Sequence, residues 1–147
     1  MPSPSPDQSL QETAGAQKPI VYYFARDLFF AVRLAEGLAR LQADARPFPS
    51  EPDVTVLQDA ALALVDLSAP TAQWQPLLEA ARAADVPVLA FGSHMNQERW
   101  QLARKLGATQ IVANSQLITH FPELVRRVIR AASSDRHGLP SPGTLGA

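Results

Sequence analysis

Four places in the chain set polar or reactive side chains at the end of an apolar run. Arg26 and Asp27 follow Ile20 to Ala25. Asp66 closes Ala60 to Val65 and stands four residues before Pro70. Ser93 and His94 follow Val86 to Phe91, and Asn114 and Ser115 follow Ile111 to Ala113. A Ser beside a His can act as nucleophile and base, but the rest of that machinery is missing here. No acid in the pattern orients the imidazole of His94, and no Gly-x-Ser-x-Gly elbow presents Ser93. His94 therefore reads as a surface-loop residue. His94, His120 and His137 share no metal-ligand spacing. The absence of cysteine excludes disulfides, thiolate catalysis and cysteine-based metal sites together.

The four apolar runs do not alternate with polar residues. Strands apolar on both faces belong to a parallel sheet covered by helices on both sides. Between them lie segments of helical period. Residues 28–41 put Phe30, Leu34, Leu38 and Leu41 on one stripe, with Asp27 as N-cap. Residues 72–84 predict a helix with Thr71 as cap and Pro76 in its first turn. Residues 96–106 predict another, closed by Gly107 at C′. Residues 122–132 predict the last, opened by Pro122. Between residues 43 and 59, Arg46 to Phe48 can form a short strand. Ser50 to Asp59 can form one stunted helix capped by Ser50, although the β-branched Val54, Thr55 and Val56 disfavour it. The expected fold is α/β: a three-layer, doubly wound, parallel five-stranded sheet of order 2-1-3-4-5 with a shortened second helix. Residues 18–132 form the domain. Residues 1–17 and 133–147, rich in Pro, Ser and Gly, are expected to be mobile tails.

The bulk properties narrow the function. A net charge of −1 with mixed signs and no basic stripe argues against nucleic acid as the main partner. The longest apolar stretches fall far short of the ~20 residues a membrane helix needs. No charged segment followed by an apolar run opens the chain, so a cytoplasmic protein is expected. No Gly-rich phosphate loop follows the first strand, where Arg26-Asp27-Leu28-Phe29-Phe30 stands instead. Nor does an Asp-x-His-x-x-Gly pattern for cobalamin occur. No cofactor is expected. A small-molecule-binding or enzymatic domain of flavodoxin-like fold is the alternative.

The Asp66-x-x-x-Pro70 spacing after an apolar third strand, Val86-Pro87-Val88-Leu89 entering the fourth, and the segment Arg104 to Ser115 before the last helix carry a resemblance. Over residues 19–132 the chain resembles the receiver domain of bacterial response regulators. The resemblance implies a phosphoacceptor at Asp66, a Mg²⁺-holding acidic pair after the first strand, a Ser or Thr after the fourth, and a Lys after the fifth. Metal and Lys would neutralise the oxygens of the incoming phosphoryl group. In this chain the acidic pair falls on Ala25 and Arg26, the hydroxyl on Gly92 and the Lys on Asn114. Only Asp66 remains, which suggests a pseudo-receiver without metal or catalysis. Three readings of Asp66 stand open: a carboxylate serving neighbouring backbone N–H groups, an ion pair with Arg26 replacing the metal, or residual phosphorylation.

The resemblance also implies protein–protein interaction in two-component signalling, with a protein partner or a second copy. The docking face it suggests, made by the fourth helix, fifth strand and fifth helix, would carry Arg99, Trp100, Arg104, Arg126, Arg127 and Arg130. Such an arginine cluster suits an acidic partner. Phe29, which points off the core stripe of the first helix, marks a second candidate surface.

Overall fold

A computed structural model describes residues 18–137. Of the tails expected at 1–17 and 133–147, residues 1–17 and 138–147 lie outside the described residues. In chain order the elements are β1 (Ile20–Phe24), α1 (Leu28–Arg40), β2 (Asp44–Pro47), α2 (Val54–Leu57), β3 (Ala60–Asp66), α3 (Thr71–Ala83), β4 (Val88–Gly92), α4 (Gln97–Lys105), β5 (Gln110–Ala113), α5 (Asn114–Thr119) and α6 (Phe121–His137). The five strands form one parallel sheet in the expected order β2-β1-β3-β4-β5, with β2 two residues ahead of the strand expected at Arg46 to Phe48.

The central strand shows why. In β3, Ala63 and Val65 face a cluster with Trp74, Leu77, Leu78 and Ala81 of α3 and Ala103 of α4. The alternate residues Leu62 and Leu64 face Leu34 and Leu38 of α1, Leu117 of α5, and Leu124, Val125 and Val128 of α6. A strand buried on both faces leaves no solvated side, so every position is apolar until Asp66. At the edge, β2 has half its residues exposed and carries Pro47, which an edge strand tolerates because one side of its backbone needs no partner.

The helix ends follow local chemistry. Asp27 caps α1, its Oδ1 accepting the Phe30 N–H at 2.8 Å. Gly107, at φ +103°, ends α4: its N–H donates to the Arg104 carbonyl and the Ala108 N–H to that of Ala103. Such a left-handed C′ residue suits glycine. The same pair of hydrogen bonds closes α1 at Gln42 (φ 61°) and α3 at Asp85 (φ 60°), residues with side chains in that strained region.

Several local expectations need correction. The stunted helix is only Val54–Leu57, and Asp53 rather than Ser50 caps it, accepting from the Val56 N–H at 3.0 Å. Thr71 is the first residue of α3, not its cap, and no side chain caps that end. Pro76 lies inside α3, beyond its first turn. An interior proline costs about 3 kcal/mol. Burial of Trp74, Leu77 and Leu78 outweighs that, at about 1.5–3 kcal/mol for each large apolar side chain. The short α5 was not expected. The final helix runs on to His137, so the domain boundary drawn after residue 132 falls inside it. No helix among the described residues is long and apolar enough to cross a membrane.

Candidate functional site

Parallel strands bring their carboxyl ends to one edge of the sheet, and β1 and β3 are neighbours there, Phe24 opposite Val65. Asp66, the next residue of β3, is 2% exposed. Three nearby donors engage both oxygens of its carboxylate. Oδ1 accepts the Ser68 N–H at 2.9 Å and the Ser68 hydroxyl at 2.7 Å, and Oδ2 accepts the Arg26 backbone N–H at 2.8 Å. The first of these, from residue i+2, is an Asx-turn.

The ion pair expected between Arg26 and Asp66 is absent. Arg26 is exposed and meets Asp66 through its backbone alone. Strand adjacency delivers the Arg26 main-chain N–H to the carboxylate, and with the two donors of Ser68 it fills three of the roughly four acceptor positions. Arg46 pairs instead with Asp44 at 2.7 Å, on the surface, where Asp44 raises the pKa of Arg46. Asp27, held as the α1 cap, does not join Asp66. Among the described residues no three His, Asp or Glu side chains converge as metal ligands would.

The loop after Asp66 is braced from three elements. The Leu67 N–H donates to the Phe91 carbonyl at 2.8 Å. The Arg99 guanidinium, reaching across from α4, donates to the carbonyls of Leu67 at 2.8 Å and Ala69 at 3.1 Å. The fully buried Trp74 indole N–H donates to the same Ala69 carbonyl at 3.0 Å. Arg99, expected on a docking face, is thus turned inward to this loop. Sequence reasoning also missed Ser68 and Trp74. The Asp-x-Ser spacing of Asp66 and Ser68 was the one available signal.

The remaining strand ends do not combine into a reactive centre. A Cβ at Gly92 would lie 3.3 Å from the Leu67 Cβ and 3.8 Å from the Trp100 indole nitrogen, so Leu67 and Trp100 occupy the space beside that residue. Trp100 is half-buried, and its indole N–H finds no acceptor among the described residues. The Ser93 hydroxyl accepts the Met95 N–H at 3.2 Å while His94 is exposed, so the two form no nucleophile–base pair. Asn114 opens α5, its side-chain oxygen buried and unpartnered, and Ser115 beside it is exposed.

The arginines expected to form one face are divided. Arg104 is exposed on α4, on the other side of the sheet from α6. On α6, Arg127 borders a depression with Gln110 and His120, whereas Arg126 and Arg130 border another with Leu41 and Ala43. Phe29 is exposed beneath the Arg33 guanidinium, 5.9 Å from its ring centre.

No family model matches the sequence, and no curated protein matches it. Solved structures do match in fold. The chemotaxis protein CheY4 of Vibrio cholerae is 13% identical, with a TM-score of 0.63 over 76% of this chain and 99% of that one. A CheY-like response regulator receiver domain from Methanospirillum hungatei is 12% identical, with a TM-score of 0.67 over 81% and 99%. The receiver domain of the Pseudomonas aeruginosa sensor histidine kinase PA1611, with a magnesium ion in its active-site cleft, is 14% identical, with a TM-score of 0.63 over 78% and 99%. The fold is therefore that of CheY-like receivers, flavodoxin-like with order 2-1-3-4-5.

Proposed function

We propose that the chain is a receiver-like signalling module that works by protein–protein interaction in a single state, without taking a phosphoryl group. The observation that carries this reading is the closed set of hydrogen bonds on Asp66. A carboxylate that attacks phosphorus must turn an unencumbered oxygen to the incoming group, and the charge gathering there needs a metal or a cation beside it. Here Ser68 and the Arg26 backbone hold both oxygens. Ala25 and Arg26 supply no carboxylate to a metal, and Asn114 stands in the position of the receiver Lys. Arg99 and Trp74 fix the following loop by contacts that need no ligand. On this reading the protein is not an enzyme, and its working place is the cytoplasm.

The test is incubation of the full chain with acetyl phosphate, and separately with beryllofluoride, in the presence of Mg²⁺. Intact mass and tryptophan fluorescence should both stay unchanged. A mass gain of one phosphoryl group, located at Asp66 by borohydride trapping, would refute the reading.

A further inference from the structure

The first turns of α1 expose apolar side chains where a solvated helix would be polar. Leu28 is 81% exposed, Phe29 73% and Val32 47%, and Ile118 on α5 is 49% exposed. Single exposed apolar side chains are ordinary, whereas a group of them on one side of a domain marks an interaction surface. Beside them a groove of about 360 Å³ runs between α1 and the α5–α6 corner, floored by Leu34 and Phe121, walled by Ile118, and rimmed by Arg33, Glu36 and Arg40. It reaches Leu41, from which a second depression of about 270 Å³ continues along α6 past Ile129, rimmed by Arg126 and Arg130. The seam thus carries four arginines against one acid, Glu36, in a chain whose net charge is −1.

An apolar floor between basic rims is the complement of an amphipathic helix with acidic flanks. A second copy of the chain suits it poorly, because an isologous contact would set the same arginines against one another. A nucleic acid would use the arginines but leave Phe29, Val32 and Ile118 uncovered. We infer that the seam between α1 and α6 docks an acidic amphipathic helix of a partner protein. Phe29 and Ile118 receive its apolar side chains, and Arg33, Arg40, Arg126 and Arg130 receive its carboxylates. This rests on the interaction-module reading and names the kind of partner.

The probe is a labelled helical peptide with leucines at i, i+3, i+4 and i+7 and glutamates on both flanks. Its control carries lysines in place of the glutamates. Fluorescence anisotropy with the full chain should show saturable binding of the glutamate peptide at roughly micromolar Kd, weakened by salt, and much weaker binding of the lysine peptide. The double variant R33E/R40E should lose the glutamate peptide at least tenfold and gain the lysine peptide, a swap that misfolding cannot produce. R104E/R127E should leave binding unchanged. Absence of saturable binding by the glutamate peptide, indifference to R33E/R40E, or tighter binding of a DNA duplex than of the peptide would overturn the inference. Phosphate incorporation at Asp66 with peptide binding intact would overturn the single-state reading alone, and lost peptide binding without phosphate incorporation would overturn the docking alone.

Discussion

Replacing Asp66 by asparagine keeps the shape of the side chain and removes its charge, so it isolates what the carboxylate does for the loop. The best placement of the new amide keeps its oxygen where Oδ1 now accepts two donors from Ser68, which sets the NH₂ group against the Arg26 N–H. That contact changes from a charge-assisted hydrogen bond, worth about 1.5–3 kcal/mol, to two donors facing each other. The two Ser68 bonds survive at roughly half their strength. Relief from burying a charge returns part of the loss. The net expectation is a destabilisation of about 2–4 kcal/mol, a large share of the roughly 5–15 kcal/mol that holds a domain of this size. Urea unfolding followed by circular dichroism should show a lower midpoint with an unchanged slope. Asp66→Ala should cost at least as much, and Ser68→Ala only about 1 kcal/mol, because the Ser68 N–H stays paired. In a metal-binding cluster of acids, removing one carboxylate relieves repulsion and stabilises the metal-free protein. Stability of Asp66→Asn equal to or above that of the wild type would therefore refute the account of Asp66 as the internal anchor of its loop.

Trp74→Phe should cost at least 1 kcal/mol more than Trp100→Phe, since the first loses a buried hydrogen bond to Ala69 and the second removes an unpartnered buried donor; paired thermal melts compare them. Gln42→Gly should stabilise the domain by about 1 kcal/mol, because the left-handed conformation at that helix end penalises any side chain, and an unchanged or lower melting temperature would contradict this. Arg99→Met should free the carbonyl of Leu67, leave that of Ala69 to the Trp74 indole alone, and cost about 2 kcal/mol, with faster amide exchange across residues 67–70 as its local signature. Arg46→Met should leave the melting temperature within error at physiological salt, because its ion pair with Asp44 is on the surface.

Strands β1, β3, β4 and β5 were legible because burial writes itself as unbroken apolar runs, whereas the half-exposed edge strand β2, expected at Arg46 to Phe48 and found at Asp44–Pro47, left no such run. The sheet order followed from the handedness of crossovers. Asp27 and Gly107 were legible because caps obey local rules. Arg26 was not, because spacing says which residues meet at a sheet edge but not whether backbone or side chain makes the contact. The helix Asn114–Thr119 left too short a pattern to detect over six residues. Pro76 was misplaced because α3 starts at Thr71, one residue before the start expected, and burial of Trp74 and Leu78 holds the turn ahead of the proline. The arginines of α4 and α6 looked like one cluster because sequence does not say that Arg99 folds onto its own domain.

The brace around Asp66 also bears on how fast the domain comes apart. Its hydrogen bonds join residues 40 apart at Arg26, and 32 and 30 apart where Arg99 meets Leu67 and Ala69. These contacts need the strand ends already side by side, so they form after the sheet that brings those ends together. They contribute little to the folding transition state, so weakening them leaves the rate of folding nearly unchanged and raises the rate of unfolding. The loop after β3 therefore acts as a latch on an already assembled sheet, lengthening the lifetime of the folded molecule more than it hastens its formation.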